Sequence, residues 1–279
     1  MPYLATLKLH LDRTNPFPYN VPAVQHAKQI DLSEAITFFI GDNGTGKSTL
    51  IETIAFRLQL PHLDGAGNGK KSFQAARDLQ KYLELAFNIE CTRGFFFRAE
   101  DFGDLVNSVD RQDARLHSQL RTLEGKVAPE IIQQMKDSAN HQIHHVRKHY
   151  GQELDSFSHG EAYLKILQEK INSPGIYILD EPEAALSPSK QLALIYFILE
   201  HLQTHMSQFI IASHSPILMS MPGAVIYEID QNEMQQKALE ETEHYSITRS
   251  FLTNPEVYLR HLGPHPASDP PPAPPKEGS

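Results

Sequence analysis

Two stretches of the chain alternate apolar and polar residues with the period of two that is typical of a half-buried β-strand. The first covers residues 3–9 and the second runs from Leu83 to Cys91. A turn at residues 92–94 then leads into Phe95-Phe96-Phe97. We therefore expect residues 81–98 to form an antiparallel β addition to a larger core.

Three other runs are apolar at nearly every position, as in strands buried on both faces. They are Ile36–Ile40, Ile176–Leu179 and Phe209–Ala212. A helical pattern follows the first run, and an apolar helical segment separates the other two. Strands that alternate with helices predict an α/β fold with a mainly parallel sheet covered on both faces.

The remaining segments differ in composition from this core. Residues 104–157 are largely charged and helical in pattern, which predicts a short helical insertion. Residues 263–279 contain seven prolines and little to bury, so we expect a disordered tail.

Composition narrows the class of protein. The chain has 279 residues, 40% of them hydrophobic, and no apolar run long enough to span a bilayer. The lack of such a run argues against direct membrane insertion. A single cysteine, Cys91, allows neither an internal disulfide nor a cysteine-based zinc site, which is consistent with the reducing cytoplasm. The net charge of -9 argues against a generally basic nucleic-acid-binding surface, although it does not exclude a local basic patch.

The first candidate site follows the strand Ile36–Ile40 and precedes a helix. It has the G-x-x-x-x-G-K-[ST] pattern of a phosphate-binding loop. Backbone N–H groups would surround the phosphates, Lys47 would contact phosphate oxygens, and the Ser48 hydroxyl would bind Mg²⁺. The predicted nucleotide-binding residues are Gly41, Asp42, Asn43, Gly44, Thr45, Gly46, Lys47, Ser48 and Thr49.

Two carboxylates end the apolar run Ile176–Leu179, where parallel strands open onto a ligand crevice. Asp180 matches the metal-binding residue of a Walker B motif, and Glu181 would polarise the attacking water. The alternative is that both carboxylates only cap the helix after Pro182. His214 ends the next apolar run, so its imidazole is predicted at the same sheet edge, within reach of a γ-phosphate.

Ser158-His159-Gly160-Glu161 precedes a helical apolar pattern. S-x-x-E is a helix capping box, and a capped helix N-terminus also binds phosphate, so both interpretations stay open.

The order of these motifs resembles the ATP-binding-cassette (ABC) ATPase heads. Within them the chain resembles the stand-alone SMC/RecF-like ATPases that are often labelled AAA family ATPases, through phrases such as Asp180-Glu181-Pro182-Glu183-Ala184-Ala185-Leu186-Ser187-Pro188 and Glu243-His244-Tyr245. The resemblance covers almost everything from Tyr3 to Leu262, and we expect residues 1–262 to form the head. It implies one P-loop ATPase head that uses ATP and Mg²⁺, with Lys47, Glu181 and His214 as catalytic residues.

The resemblance also implies an ATP-dependent homodimer. Ser158, His159 and Gly160 of one subunit would contact the ATP bound by the other, and hydrolysis would separate the heads. This sequence departs from the transporter signature S-G-G-Q at His159 and Glu161. Glu100 stands near the position of the family's Q-loop glutamine and is the third candidate metal ligand, with Ser48 and Asp180. Phe17 or Tyr19 would stack on adenine.

Four histidines are spaced so that they would lie on one face of a helix: His141, His144, His145 and His149. This face would be either a metal site or an exposed polar surface.

The leading hypothesis for the function is an ATPase that drives an unidentified protein partner. The alternatives are a DNA-repair or chromosome-type ATPase, a transporter ATPase subunit, and a nucleotide-gated scaffold in a defence or toxin-antitoxin system. The long coiled-coil arms of SMC proteins are excluded, because the residues between Thr49 and Ser158 contain no sustained heptads.

Overall fold

The computed structural model describes residues 2–11, 16–63, 73–103 and 159–260. The predicted insertion at residues 104–157, Ser158, the histidine cluster at residues 141–149 and the proline-rich tail lie outside these ranges.

Nine strands and eight helices lie within the described ranges. The strands are β1 (Leu4–Leu9), β2 (Ile30–Asp31), β3 (Ile36–Gly41), β4 (Leu83–Phe87), β5 (Gly94–Arg98), β6 (Ile176–Asp180), β7 (Gln208–Ala212), β8 (Ala224–Ile229) and β9 (Met234–Lys237). The helices are α1 (Pro22–His26), α2 (Lys47–Arg57), α3 (Gln74–Leu79), α4 (His159–Lys170), α5 (Pro188–Thr204), α6 (Pro216–Met219), α7 (Glu243–Thr253) and α8 (Pro255–Leu259).

The strands form two sheets. The larger has the order β5-β6-β7-β3-β8-β9, in which every neighbouring pair is parallel except the antiparallel β8 and β9. The smaller sheet, β2-β1-β4, is antiparallel. This arrangement confirms the predicted α/β fold with a mainly parallel sheet and an antiparallel β addition.

Successive residues of the central strands point into two separate cores. In β3, Phe38 and Ile40 pack with α4 and α5 on one face, whereas Phe39 packs with α2 and the small sheet on the other. All three side chains are fully buried. The uninterrupted apolar runs follow from this burial on both faces.

The prediction for residues 81–98 is half wrong. β4 does pair antiparallel with β1, but it ends at Phe87 instead of continuing to Cys91. β5 does not return along β4 and lies parallel to β6 in the main sheet. The pairing of β5 with β6 begins at Gly94 and Ile176. A Cβ on Gly94 would lie 1.7 Å from the Ile176 carbonyl oxygen, so only glycine allows the two backbones to approach this closely.

Three strand ends meet at one edge of the main sheet. The register pairs Asp180 with Ala212 and Ala212 with Phe39, so β6, β7 and β3 end at the same level. Their carboxyl ends lead to Glu181, to Ser213 and to the loop after Gly41, respectively.

None of the described helices is long and apolar enough to cross a membrane.

Candidate ATP-binding and hydrolysis site

The loop between β3 and α2 contains glycines whose backbone conformation lets its N–H groups face a ligand. Gly44 and Gly46 have φ angles of +86° and +90°, and Gly46 immediately precedes α2. A Cβ on Gly41 would lie 2.2 Å from the Ile229 carbonyl oxygen of β8. The loop thus combines left-handed positions with the N-terminus of an 11-residue helix, the arrangement that directs backbone N–H groups toward an anion.

Lys47 is the first residue of α2 and is buried. Its Nζ donates to the carbonyl oxygens of Gly41, at 2.7 Å, and Asp42, at 3.0 Å. Burial lowers the pKa of Lys47, while the nearby carboxylates of Glu181 and Asp180 oppose that shift. The ammonium therefore lies across its own loop, close to where phosphate oxygens would be.

The other residues of the predicted loop differ in exposure. Asp42, Asn43 and Gly44 are exposed, and the buried Thr45 donates from Oγ1 to the Asp42 carbonyl oxygen at 2.8 Å. Thr49 is half-buried in the first turn of α2.

Ser48, in the first turn of α2, and Asp180, at the end of β6, come together. Ser48 Oγ donates to Asp180 Oδ1 at 3.1 Å. Asp180 is only 2% exposed, and burial raises its pKa to about 6, although the Arg98 guanidinium and the Ser48 hydrogen bond act in the opposite direction. A carboxylate this deep is costly without a nearby cation.

Arg98, at the end of β5, provides that cation. Its Nε lies 3.3 Å from Asp180 Oδ2, its Nη1 lies 2.7 Å from Glu100 Oε1, and its Nη2 contacts Glu52. The guanidinium also lies 5.2 Å from the ring centre of Phe73. Sequence reasoning missed Arg98. The signal was that Phe95–Phe97 is apolar at every position, which is typical of a strand within a parallel sheet. Arg98 follows this run as Asp180 follows the apolar run Ile176–Leu179.

A cavity brings together the three predicted metal ligands. Ser48, Asp180 and Glu100 line it together with Arg98 and Glu181. Their oxygen donors fit Mg²⁺, which takes one or two carboxylates and completes its shell with phosphate oxygens and water. Within the described ranges, no three His, Cys, Asp or Glu side chains converge as a metal site.

Glu181 follows Asp180 with a left-handed backbone, φ +49° and ψ +49°. Its backbone N–H donates to the Ala212 carbonyl oxygen at 2.9 Å, which ties this turn to the end of β7. The carboxylate is 44% exposed and lines the same cavity as Ser48. Its Oε1 lies 3.4 Å from His214 Nε2. The structure therefore places Glu181 and His214 together, as the sequence predicted.

Glu183 fixes the loop that carries His214. Its buried carboxylate accepts hydrogen bonds from Ser213 Oγ, at 2.9 Å, and from the His214 backbone N–H, at 2.5 Å. Burial raises the pKa of Glu183, and these hydrogen bonds lower it. Sequence reasoning did not single out Glu183, because nothing in Glu181-Pro182-Glu183 indicates that the second glutamate turns back under the strand end.

The segment predicted to contact a second subunit is described from the start of α4. Gly160 packs against the turn after β6, where a Cβ would lie 2.9 Å from the Ala185 carbonyl oxygen. Glu161 forms an ion pair with Lys190 of α5 at 2.8 Å. Gly160 thus has a packing role within its own chain.

The two candidate adenine contacts differ in exposure. The Phe17 ring is 61% exposed, whereas Tyr19 is 9% exposed and packs edge-on against Tyr82. Of the two, Phe17 has the accessible face.

Comparison with known proteins identifies the family. The profile of the family described as ABC transporter matches residues 30–184, more than half of the chain. The chain therefore belongs to this family. It is a P-loop ATPase of the ABC class, which binds ATP and hydrolyses it to ADP and phosphate. A comparison with curated proteins finds no match.

Solved structures similar to this chain include a Smc head domain from Pyrococcus furiosus, with 14% identity over 90% of this chain and 100% of that one and a TM-score of 0.45. Another is cbiO1 from Clostridium perfringens, part of the ABC transporter complex cbiONQ, with 18% identity, 94% and 100% coverage and a TM-score of 0.41. A third is an ATP-binding cassette of an ABC transporter in its ADP conformation, with 16% identity, 95% and 100% coverage and a TM-score of 0.46. At TM-scores this low, these likenesses add nothing to the family match.

Proposed function

We propose that residues 1–262 form one ATPase head whose hydrolytic residues are Lys47, Glu181 and His214. The observation that carries this proposal is the meeting of three strand ends at one sheet edge, with His214 Nε2 3.4 Å from Glu181 Oε1 and Ser48 bonded to Asp180.

Each side chain has a role that follows from its position. The Lys47 ammonium and the N–H groups of residues 41–49 bind the phosphates of ATP. Glu181, half-exposed at the mouth of the cavity, accepts a proton from the attacking water. His214 Nε2 donates to the γ-phosphate, which fixes the phosphate relative to that water.

We further propose that Ser48, Asp180 and Glu100 hold Mg²⁺. The bound ion would supply positive charge beside the phosphates. Ser48 and Asp180 are already within hydrogen-bonding distance of each other, so little rearrangement of these two side chains is needed. Glu100 is exposed and is held by Arg98.

The head acts as an ATP-dependent homodimer in this proposal. Ser158, His159 and Gly160 of one subunit contact the ATP held by Lys47 of the other subunit. The exposure of Glu181 supports the dimer. Its carboxylate is 44% exposed, whereas hydrolysis requires bulk water to be excluded from around the reacting groups. A second subunit would cover it. Hydrolysis then separates the heads and drives a protein partner, in the cytoplasm.

The mass of the Glu181→Gln protein in solution tests the dimer. We expect light scattering to show the 31.5 kDa chain alone without nucleotide and twice that mass with ATP and Mg²⁺. In the Glu181→Gln background, Ser158→Arg should prevent the doubling, because the bulky cation would occupy the contact with the other subunit's nucleotide. A mass that ATP does not change, or an ATP-dependent dimer that Ser158→Arg leaves intact, would refute the head-to-head arrangement.

A further inference from the structure

A second histidine faces His214 on the side away from Glu181. His244 Nε2 lies 3.1 Å from His214 Nδ1. The two ring centres are 5.2 Å apart and the ring planes are inclined at 47°. His244 belongs to the Glu243-His244-Tyr245 segment at the start of α7, which the hydrolytic roles above do not use.

The start of α7 is anchored to the strand beside the phosphate-binding loop. Glu228 of β8 accepts a hydrogen bond from the Glu243 backbone N–H at 2.9 Å, and its other carboxylate oxygen accepts one from Lys237 at 2.5 Å. Glu228 is 9% exposed and pairs with Ile40 of β3. A buried carboxylate thus fixes the helix end that carries His244.

The protons of the two imidazoles follow from this contact. A neutral imidazole has one N–H donor and one bare nitrogen acceptor. If His214 Nε2 donates to a phosphate oxygen, its Nδ1 must be the acceptor, and His244 Nε2 must then donate the proton that lies between the rings. His244 Nδ1 would then be the bare nitrogen. His244 Nδ1 and His214 Nε2 are both buried and have no hydrogen-bond partner among the described residues. When a phosphate oxygen accepts from His214 Nε2, this assignment leaves no buried N–H donor without an acceptor.

The surroundings of His214 favour the neutral form of its ring. The groups that act on His214 are Lys47, Glu181, His244 and Asp42. Burial and the Lys47 ammonium lower the pKa of His214, and Glu181 and Asp42 act against them.

We propose that His244 is a positioning residue for ATP hydrolysis, which holds the His214 imidazole in the tautomer with its proton on Nε2 and in the orientation that faces the γ-phosphate. This rests on the proposed role of His214. Glu228 anchors the helix end that carries His244 to β8. It thereby links the orientation of His214 to the strand beside the phosphate-binding loop.

The first test measures the tautomer in the wild-type protein with a non-hydrolysable ATP analogue and Mg²⁺ bound. Long-range ¹⁵N–¹H NMR correlations report which ring nitrogen carries the proton. We expect His214 with its proton on Nε2 and His244 likewise. A proton on Nδ1 of His214 in the neutral protein would overturn the proposal.

The second test is kinetic. His244→Phe keeps a ring but removes the donor, and we expect its kcat to fall about tenfold, the usual scale for losing a side chain that orients a catalytic group. Its Kd for ATP and its melting temperature should stay close to wild type. His244→Gln places an amide N–H near the position of Nε2 and should restore most of the rate. The control is Ser246→Ala on the same helix, whose hydroxyl donates to the Glu243 carbonyl oxygen and should leave kcat unchanged.

A double-mutant cycle separates this inference from the proposed function. In a His214→Ala background, His244→Phe should cause no further loss, because His244 acts only through His214. If His214→Ala is slow but His244→Phe is as fast as wild type, the positioning role is refuted and the role of His214 stands. If His214→Ala itself is as fast as wild type, the role of His214 is refuted and the positioning role with it.

Discussion

Ser48 Oγ donates a hydrogen bond to Asp180 Oδ1 across 3.1 Å, although the two residues are 132 positions apart in the chain. The contact joins the first turn of α2 to the end of β6. It exists because β3 and β6 are parallel strands on either side of β7, so their carboxyl ends meet at one edge. A side chain suited to a metal and a side chain from the phosphate-binding loop are thereby placed in one cavity.

Replacing Lys47 with alanine removes the buried ammonium from the phosphate-binding loop. We expect ATP affinity to fall about a hundredfold or more, because charge-assisted hydrogen bonds to phosphate are lost. Lys47→Arg is the matched control, which keeps the charge but not the shape, and should bind with intermediate affinity. Isothermal titration calorimetry measures both. Unchanged binding by Lys47→Ala would show that the phosphates lie elsewhere.

Replacing Asp180 with asparagine should stabilise the nucleotide-free protein while abolishing hydrolysis. Burial raises the pKa of Asp180 from 3.8 to about 6, so the ionised carboxylate costs on the order of 3 kcal/mol at neutral pH. The asparagine side chain has no charge and does not carry this cost. Thermal or urea unfolding at pH 7 measures the gain.

The pH dependence of that gain gives a second check on Asp180. In the folded protein the carboxyl gains a proton below about pH 6, while in the unfolded chain it stays ionised down to about 3.8. As pH falls through this window, the folded wild type no longer carries the free-energy cost of an ionised Asp180. The difference in the free energy of unfolding between Asp180→Asn and wild type should therefore shrink below pH 6 and disappear near pH 4. An advantage that does not change between pH 7 and 4 would contradict the assignment.

Replacing Arg98 with methionine leaves three neighbouring carboxylates, those of Asp180, Glu52 and Glu100, without their shared cation. We expect a loss of about 3–5 kcal/mol in the free energy of unfolding. Added Mg²⁺ should raise the melting temperature of this variant more than that of wild type, since it meets uncompensated negative charge. Arg98→Lys keeps one positive charge and should lie between the two proteins. An Arg98→Met protein as stable as wild type would show that these carboxylates do not depend on Arg98.

Removing the Glu183 carboxylate should release the loop that carries His214. Glu183→Ala leaves the Ser213 hydroxyl and the His214 N–H without their acceptor, which should cost about 2–4 kcal/mol of stability and lower kcat about tenfold. Glu161→Ala is the matched control. Its partly exposed ion pair with Lys190 should contribute less than about 1 kcal/mol. Equal losses in the two variants would argue against a special role for Glu183.

Residues that follow buried strands were predictable, and those that turn back beneath them were not. Asp180 and His214 each follow an apolar run, so their common edge could be inferred from the alternation of strands and helices. Glu183 depends on the local path of the chain after Pro182, which periodicity does not describe. Arg98 was missed because the turn before Gly94 suggested a hairpin, whereas burial on both faces places β5 beside β6.

The most direct test of the hydrolytic site compares ATP binding and ATP turnover in Glu181→Gln. The amide keeps the shape of the side chain but cannot accept the proton of the attacking water. We expect a Kd for ATP close to wild type and a single-turnover rate at least about a hundredfold lower, since a general base contributes on this scale. A Glu181→Gln protein that binds ATP and hydrolyses it at the wild-type rate would contradict the account.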